Sequence, residues 1–208
     1  MGGAFMRKFL KISALLLVFL IFMWLGTVLA DRQILSKDII RLHVVADSDS
    51  NEDQTVKLKV KDAVVNRLES IMKKLPDVKE ARAYLSEHLQ ELEAIANEVL
   101  LQFGSHDTAR VTLTQECFDT RHYDTFSLPA GVYESLRVTI GSGEGKNWWC
   151  VVFPTLCYGA TSDEFSDTAA GSGFDDALTG TLVRENRYEI RFFLLDMLGR
   201  VQNFFHRK

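Results

Sequence analysis

Cysteine is scarce in this chain, with three in 208 residues and none before Cys117. A lipoprotein anchor, which needs a thiol at the end of the export signal, is thereby excluded. Positive charge is also in short supply, with 24 Lys and Arg against 28 Asp and Glu. Three of those cations, Arg7, Lys8 and Lys11, stand ahead of an uncharged run from Ile12 to Ala30. Residues 1–30 carry three cations and no anion, so the remainder has a formal charge of −4 − 3 = −7. An acidic domain of this kind is poorly suited to nucleic acid or to an anionic lipid surface. Two familiar ligand loops are absent as well. Asp47, Asp49 and Asn51 imitate the start of a calcium loop, but Glu52 stands where glycine is needed and Leu58 where the bidentate glutamate belongs. Gly141 to Lys146 resembles the end of a phosphate-binding loop. It has Ile140 for the first glycine and Asn147 for the Ser or Thr, and it leads into a strand pattern instead of a helix.

What is present begins with an export segment. An apolar run of about 20 residues can span a bilayer, and the core of a cleavable signal is about 7–15. Ile12 to Ala30 lies between the two. Val28 and Ala30 suit cleavage before Asp31, and the length also suits a signal anchor. Cations ahead of the run place the rest of the chain outside. The division expected is therefore 1–30 as signal peptide or anchor, 31–160 as an exported domain, 161–181 as an acidic flexible linker, and 182–208 as a strand followed by an amphipathic helix.

Within the domain, Ile39 to Ala46 reads as a largely buried strand containing His43. The cluster DSDSNED from Asp47 to Asp53 then suits a strand-to-helix turn, with Ser50 or Asn51 capping. Val56, Val60, Ala63, Val64, Leu68, Ile71 and Leu75 form one helical face, and Pro76 ends it. A second helix carries Ala81, Leu85, Leu89, Leu92, Ile95, Ala96 and Val99, with Gly104 as its stop. A short break between two long helices makes them pack antiparallel. From Ala109 the period changes to two, and strands follow at Val111 to Glu116 and Val132 to Ile140. The order predicts an α+β fold, two long antiparallel helices on a mixed or antiparallel sheet, behind an N-terminal hydrophobic export helix.

The most distinctive stretch is Gly141 to Tyr158, GSGEGKNWWCVVFPTLCY. Its glycines suggest a flexible turn, and Val151-Val152-Phe153 favour a buried strand. Trp148 and Trp149 stand at the mouth of that strand, as a core lid or as a binding surface. Neighbours on a strand point to opposite faces, so one indole is expected beneath the helices and the other partly exposed. With Lys146 and Asn147, the exposed indole would form an anchor with a polar rim.

Four segments, Ile40 to Ser50, Leu58 to Val64, Leu128 to Gly141 and Gly145 to Cys157, resemble the stage II sporulation protein R family of endospore-forming bacteria. Thr155 stands where that family commonly has a second proline. The resemblance implies a protein made in the forespore and exported into the space between forespore and mother cell. There it would switch on a membrane-embedded aspartic protease, which matures the sigma-E precursor, without being an enzyme itself. No cofactor, metal, small-molecule substrate or nucleic acid is implied.

Separately from the resemblance, Cys150 and Cys157 are seven apart in an exported chain, where a disulfide persists. Such a bridge contributes roughly 2.5 kcal/mol in the chain-entropy picture. Cys117 is then unpaired. A hydrolase using it would need one of His43, His88, His106 or His122 beside it. A structural cell-envelope domain is the third reading. Activity without a catalytic residue, coupled to export, distinguishes the signalling reading from both.

Overall fold

In the computed structural model, the chain is described at residues 2–157, 165, 167–169, 174–183 and 190–207. It is an α+β fold with a four-stranded sheet between two unlike layers. Helix α1 (Gly2–Asp38) runs straight into β1 (Ile40–Val45). Helices α2 (Asn51–Met72), α3 (Val78–Glu87) and α4 (Leu89–Gln102) follow, then strands β2 (Ala109–Phe118), β3 (Arg121–His122), β4 (Ser127–Leu128), β5 (Gly131–Ile140) and β6 (Asn147–Phe153). Helices α5 (Asp176–Leu182) and α6 (Ile190–His206) close the described chain. The sheet order is β2-β5-β1-β6, with β1 parallel to β5 and antiparallel to β6. A helical crossover is what a parallel neighbour requires, and α2 to α4 supply it.

Alternation along β1 defines the two faces. Ile40, Leu42 and Val44 join the helices of the crossover in one apolar cluster, with Val60, Val64, Leu68, Leu92 and Leu100. Helices α2 and α4 are antiparallel, since Arg67 late in α2 bonds Glu91 early in α4, and Lys59 early in α2 lies over the Phe103 ring at the end of α4. Ser50 caps α2 by accepting from the Asp53 amide, as its sequence suggests. The single second helix expected over residues 77–100 is two helices broken at His88. There the imidazole Nδ1 lies 2.7 Å from the Tyr84 carbonyl and the ring stacks on Tyr84, while the His88 amide is shared between the Tyr84 and Leu85 carbonyls. Asn97 of α4 then pairs both backbone groups of Ala109, which fixes where β2 begins.

The other face of the sheet is covered too. Leu35 of α1, Ile39 at its exit, Phe126, Leu128, Phe165, Phe174, Leu178, Leu182 and Leu195 form a second apolar cluster against Tyr133 and Val151. This corrects the expectation of a flexible acidic linker for the described residues within 161–181. Phe165, Ala169, Phe174 and Leu178 are buried, and Asp175 caps α5 through the Leu178 amide. Sparse apolar anchors outweigh the acids between them, because a few large side chains find a surface already built. The C-terminal strand expected around Tyr188 to Phe192 is likewise corrected. Ile190 to Phe192 open helix α6, and Tyr188 lies outside the described residues. The face α6 buries centres on Leu195, Gly199 and Asn203; of the expected residues Leu194 and Leu198 pack at its edge, half-buried, while Val201 and Phe205 are exposed. Gly199 sets this docking, since a Cβ there would overlap the Ala130 carbonyl.

Two helical glycines therefore predict opposite outcomes. Gly199→Ala should cost about 2 kcal/mol by overpacking, although alanine favours a helix by about 1 kcal/mol. Gly180→Ala, with open space around its Cβ, should stabilise by up to about 1 kcal/mol. Thermal unfolding of the two variants checks the pair; a Gly199→Ala chain as stable as the parent would contradict the docking of α6.

Candidate functional site

The glycine loop between β5 and β6 is a fastened turn, which corrects the flexible one expected. Gly141 and Gly143 adopt positive φ of 56° and 68°. The acids of the turn after β1 hold the loop through its amides. Asp47 accepts from Ser142 N at 2.6 Å, and Asp49 accepts from Lys146 N at 2.7 Å. Gly145 fits only without a side chain, since a Cβ would collide with the Ser48 carbonyl. From beneath, the buried Lys57 of α2 donates to the Lys146 carbonyl at 2.9 Å and to Gln54. Burial pulls the Lys57 ammonium below the ordinary lysine value. The acidic cluster that imitates a calcium loop thus builds the platform from which β6 starts.

On that platform stand the residues expected to meet a partner. Lys146, Asn147 and Trp148 are exposed, and Trp149 is half-buried. The indoles do lie on opposite faces, but the expected roles are reversed. Trp148 is on the side of the helices, with Cys150 and Val152, yet it is 36% exposed. Strand β6 is an edge strand, and its first residues run past the helices' cover. Lys61 of α2 reaches the Trp148 ring, its Nζ 4.9 Å from the centroid. Trp149 faces the other layer, stacked on His43 with centroids 5.6 Å apart and beneath the Arg121 guanidinium at 3.5 Å. Arg121, Tyr123, Asn147 and Trp149 line part of a cleft of about 460 Å³ beside the strand. Midway along β6, Cys150 is bridged to Cys157 beyond the strand's end, with Cα atoms 5.1 Å apart, as their spacing suggests.

Under the sheet lies a belt of buried charge. His43 places Nδ1 at 3.1 Å from Glu116 Oε2 and Nε2 at 2.7 Å from Asn147 Oδ1. Arg137 donates to Glu116 Oε1 at 2.6 Å. Burial pushes the Glu116 carboxyl up, but hydrogen bonds and charge from His43 and Arg137 overcome it and hold the pKa at about 2. Arg41, wholly buried, donates to the Tyr123 hydroxyl at 2.9 Å and lies 3.9 Å from the centre of the Phe118 ring. Tyr133, also against Arg41, has its phenol pushed above the ordinary value by burial.

This belt does not resemble a nucleophilic centre. Glu116 and Asn147, and not a cysteine or a hydroxyl, stand at the two ring nitrogens of His43. Cys117 follows Glu116 on β2, and alternation turns it to the sheet face away from His43. His122 sits against Ser127 Oγ at 2.8 Å, and His88 is held at the break between α3 and α4. Among the described residues, no group of three or more His, Cys, Asp or Glu could hold a metal. The sequence does not single out Glu116, Arg121, Lys57 or the pair Asp47 and Asp49 as site residues. Only the acidic turn carries a signal, and its composition points to helix capping.

The sequence profile for stage II sporulation protein R matches residues 36–163, which take in the sheet, the crossover helices, the glycine loop and the disulfide. The chain belongs to the stage II sporulation protein R family. It is 39% identical over 119 residues to stage II sporulation protein R of Bacillus subtilis (strain 168), across 57% of this chain and 53% of that protein. The match thus spans about half the length of that relative. No solved structure matches. A sporulation role follows from the family, and the family's matched region holds every residue of the platform and of the belt.

The belt makes a prediction about acid. Glu116 lies below the ordinary carboxyl value of 4.5 in the fold, so its stabilisation is complete above pH 4.5 and is lost as pH falls towards 2. The loss amounts to about 3 kcal/mol. Denaturation of the full chain in micelles should show Glu116→Gln less stable than the parent at pH 7, with the gap closing between pH 4.5 and 2. A gap that stays constant over that window would contradict the assignment.

Proposed function

We propose that this chain is an exported sporulation signal that activates a membrane-embedded aspartic protease, which then processes the sigma-E precursor, and that it does so as a ligand without chemistry of its own. Family membership supports the setting. The N-terminal helix, among the described residues the one long and apolar enough to cross a membrane, suits export as a signal peptide or an anchor. The single observation that carries the contact is Trp148, an indole left open at the end of a strand otherwise buried from Cys150 to Phe153. A large aromatic on a rigid support loses little conformational freedom on binding and has the character of a hot spot. Lys146 and Asn147 give it a polar rim. The placement of His43 and Cys117 on opposite faces of the sheet favours this reading over a hydrolase that pairs them.

Co-expression with the receptor protease and its precursor substrate tests the proposal. Trp148→Ala should reduce precursor processing through a loss of roughly 2 kcal/mol or more of binding, with little change in thermal stability. Trp149→Ala should instead destabilise the fold by about 3 kcal/mol. Cys117→Ala and His122→Ala should leave processing unchanged. Full processing by a folded Trp148→Ala chain would remove this stretch from the contact surface, and a folded Cys117→Ala chain without activity would revive the hydrolase.

A further inference from the structure

Helix α6 docks on the domain with one face and still displays a second apolar face. Ile190, Phe193, Met197, Val201, Phe204 and Phe205 are each at least 42% exposed. At 3.6 residues per turn all six fall within a sector of about 120°. The buried Leu195, Gly199 and Asn203 lie on the opposite side. An amphipathic helix needs one apolar stripe to hold it to its own domain, and α6 has two.

The position of α6 says what the second stripe meets. The Arg191 guanidinium is paired with the buried Asp31 carboxylate at 2.6 Å, and Arg32 is hydrogen-bonded to Gln202. Arg191 and Gln202 are eleven residues apart, about 16 Å of helical rise, yet they reach adjacent residues of α1. The two helices therefore cross steeply instead of lying alongside. The crossing falls at Asp31, where the uncharged run Ile12–Ala30 ends. Nineteen residues rise about 28 Å, close to the thickness of a hydrocarbon core. With α1 along the bilayer normal, α6 lies in the plane of the interface at the exit of the span. Its composition suits that place, with Phe204 and Phe205 beside His206 and Arg207 at one end.

We infer that α6 is an interfacial membrane helix, whose exposed stripe inserts into the outer boundary of the bilayer that α1 enters and so fixes the domain's orientation on it. Apolar insertion drives this docking, because Arg191, Arg200 and Arg207 already face Asp31, Asp196 and Asp119. It therefore requires no anionic lipid. It is independent of the receptor reading.

The test uses the full chain in phosphatidylcholine vesicles, with Cys117→Ser and one spin-labelled cysteine at Met197, Val201 or Glu144. All three positions are exposed, so labelling should leave the fold intact, which circular dichroism would check. Labels at 197 and 201 should lose accessibility to a water-soluble nickel chelate and gain collisions with oxygen, while the label at 144 on the glycine turn stays open to the chelate. Chelate accessibility at 197 and 201 equal to that at 144 would overturn the inference and leave the stripe to a protein partner or to solvent.

Discussion

An arginine and a histidine on a strand buried from both sides are the constraint on which this fold depends. Every residue of β1 is buried, and two of its six side chains are Arg41 and His43. A buried charge is tolerated only when it is paired or laid against a polarisable surface. The sheet supplies Glu116 from β2, Arg137 from β5 and Asn147 from β6 around His43. Arg41 receives Phe118, Tyr133 and the Tyr123 hydroxyl. These partners come from three strands and from the turn between β3 and β4, so the belt sets their positions relative to β1. A cover on that face then becomes necessary, and α1, α5, α6 and the apolar anchors near Phe165 provide it.

The same economy shapes the end of the sheet. Acids following β1 grip the amides of the loop before β6, and a buried lysine grips its carbonyl from below. Gly141 and Gly145 are needed there because the loop lies directly on the turn, and Gly143 because its φ is positive and a Cβ would meet Thr139. The result is a stiff corner, with Trp148 at its edge and Trp149 locked between His43 and Arg121. Presentation and support are divided between neighbouring indoles, one on each face of the strand.

Much of this is legible in the sequence. The first strand, the Ser50 cap, the paired cysteines and the alternating strands follow from local pattern, and the pattern matches because nothing tertiary opposes it. Other features depend on partners far along the chain. Glu116 is 73 residues from His43, and nothing near either residue announces the pair. At the His88 break one amide is shared between two carbonyls, which periodicity does not register. Over 161–181 the acids dominate the composition, while Phe165, Phe174 and Leu178 decide the packing of the described residues. Strand alternation correctly places the two tryptophans on opposite faces. Which of them is covered depends on where the helices stop over an edge strand, and that is a property of the whole layer.

The central claim is that the buried belt supports the contact surface and performs no chemistry. A double-mutant cycle with His43→Gln and Glu116→Gln, read for both unfolding free energy and precursor processing per folded molecule, tests it most directly. The account predicts a coupling of about 1 kcal/mol or more in stability and no loss of processing in any variant that folds. A stably folded His43→Gln chain that fails to support processing would contradict it.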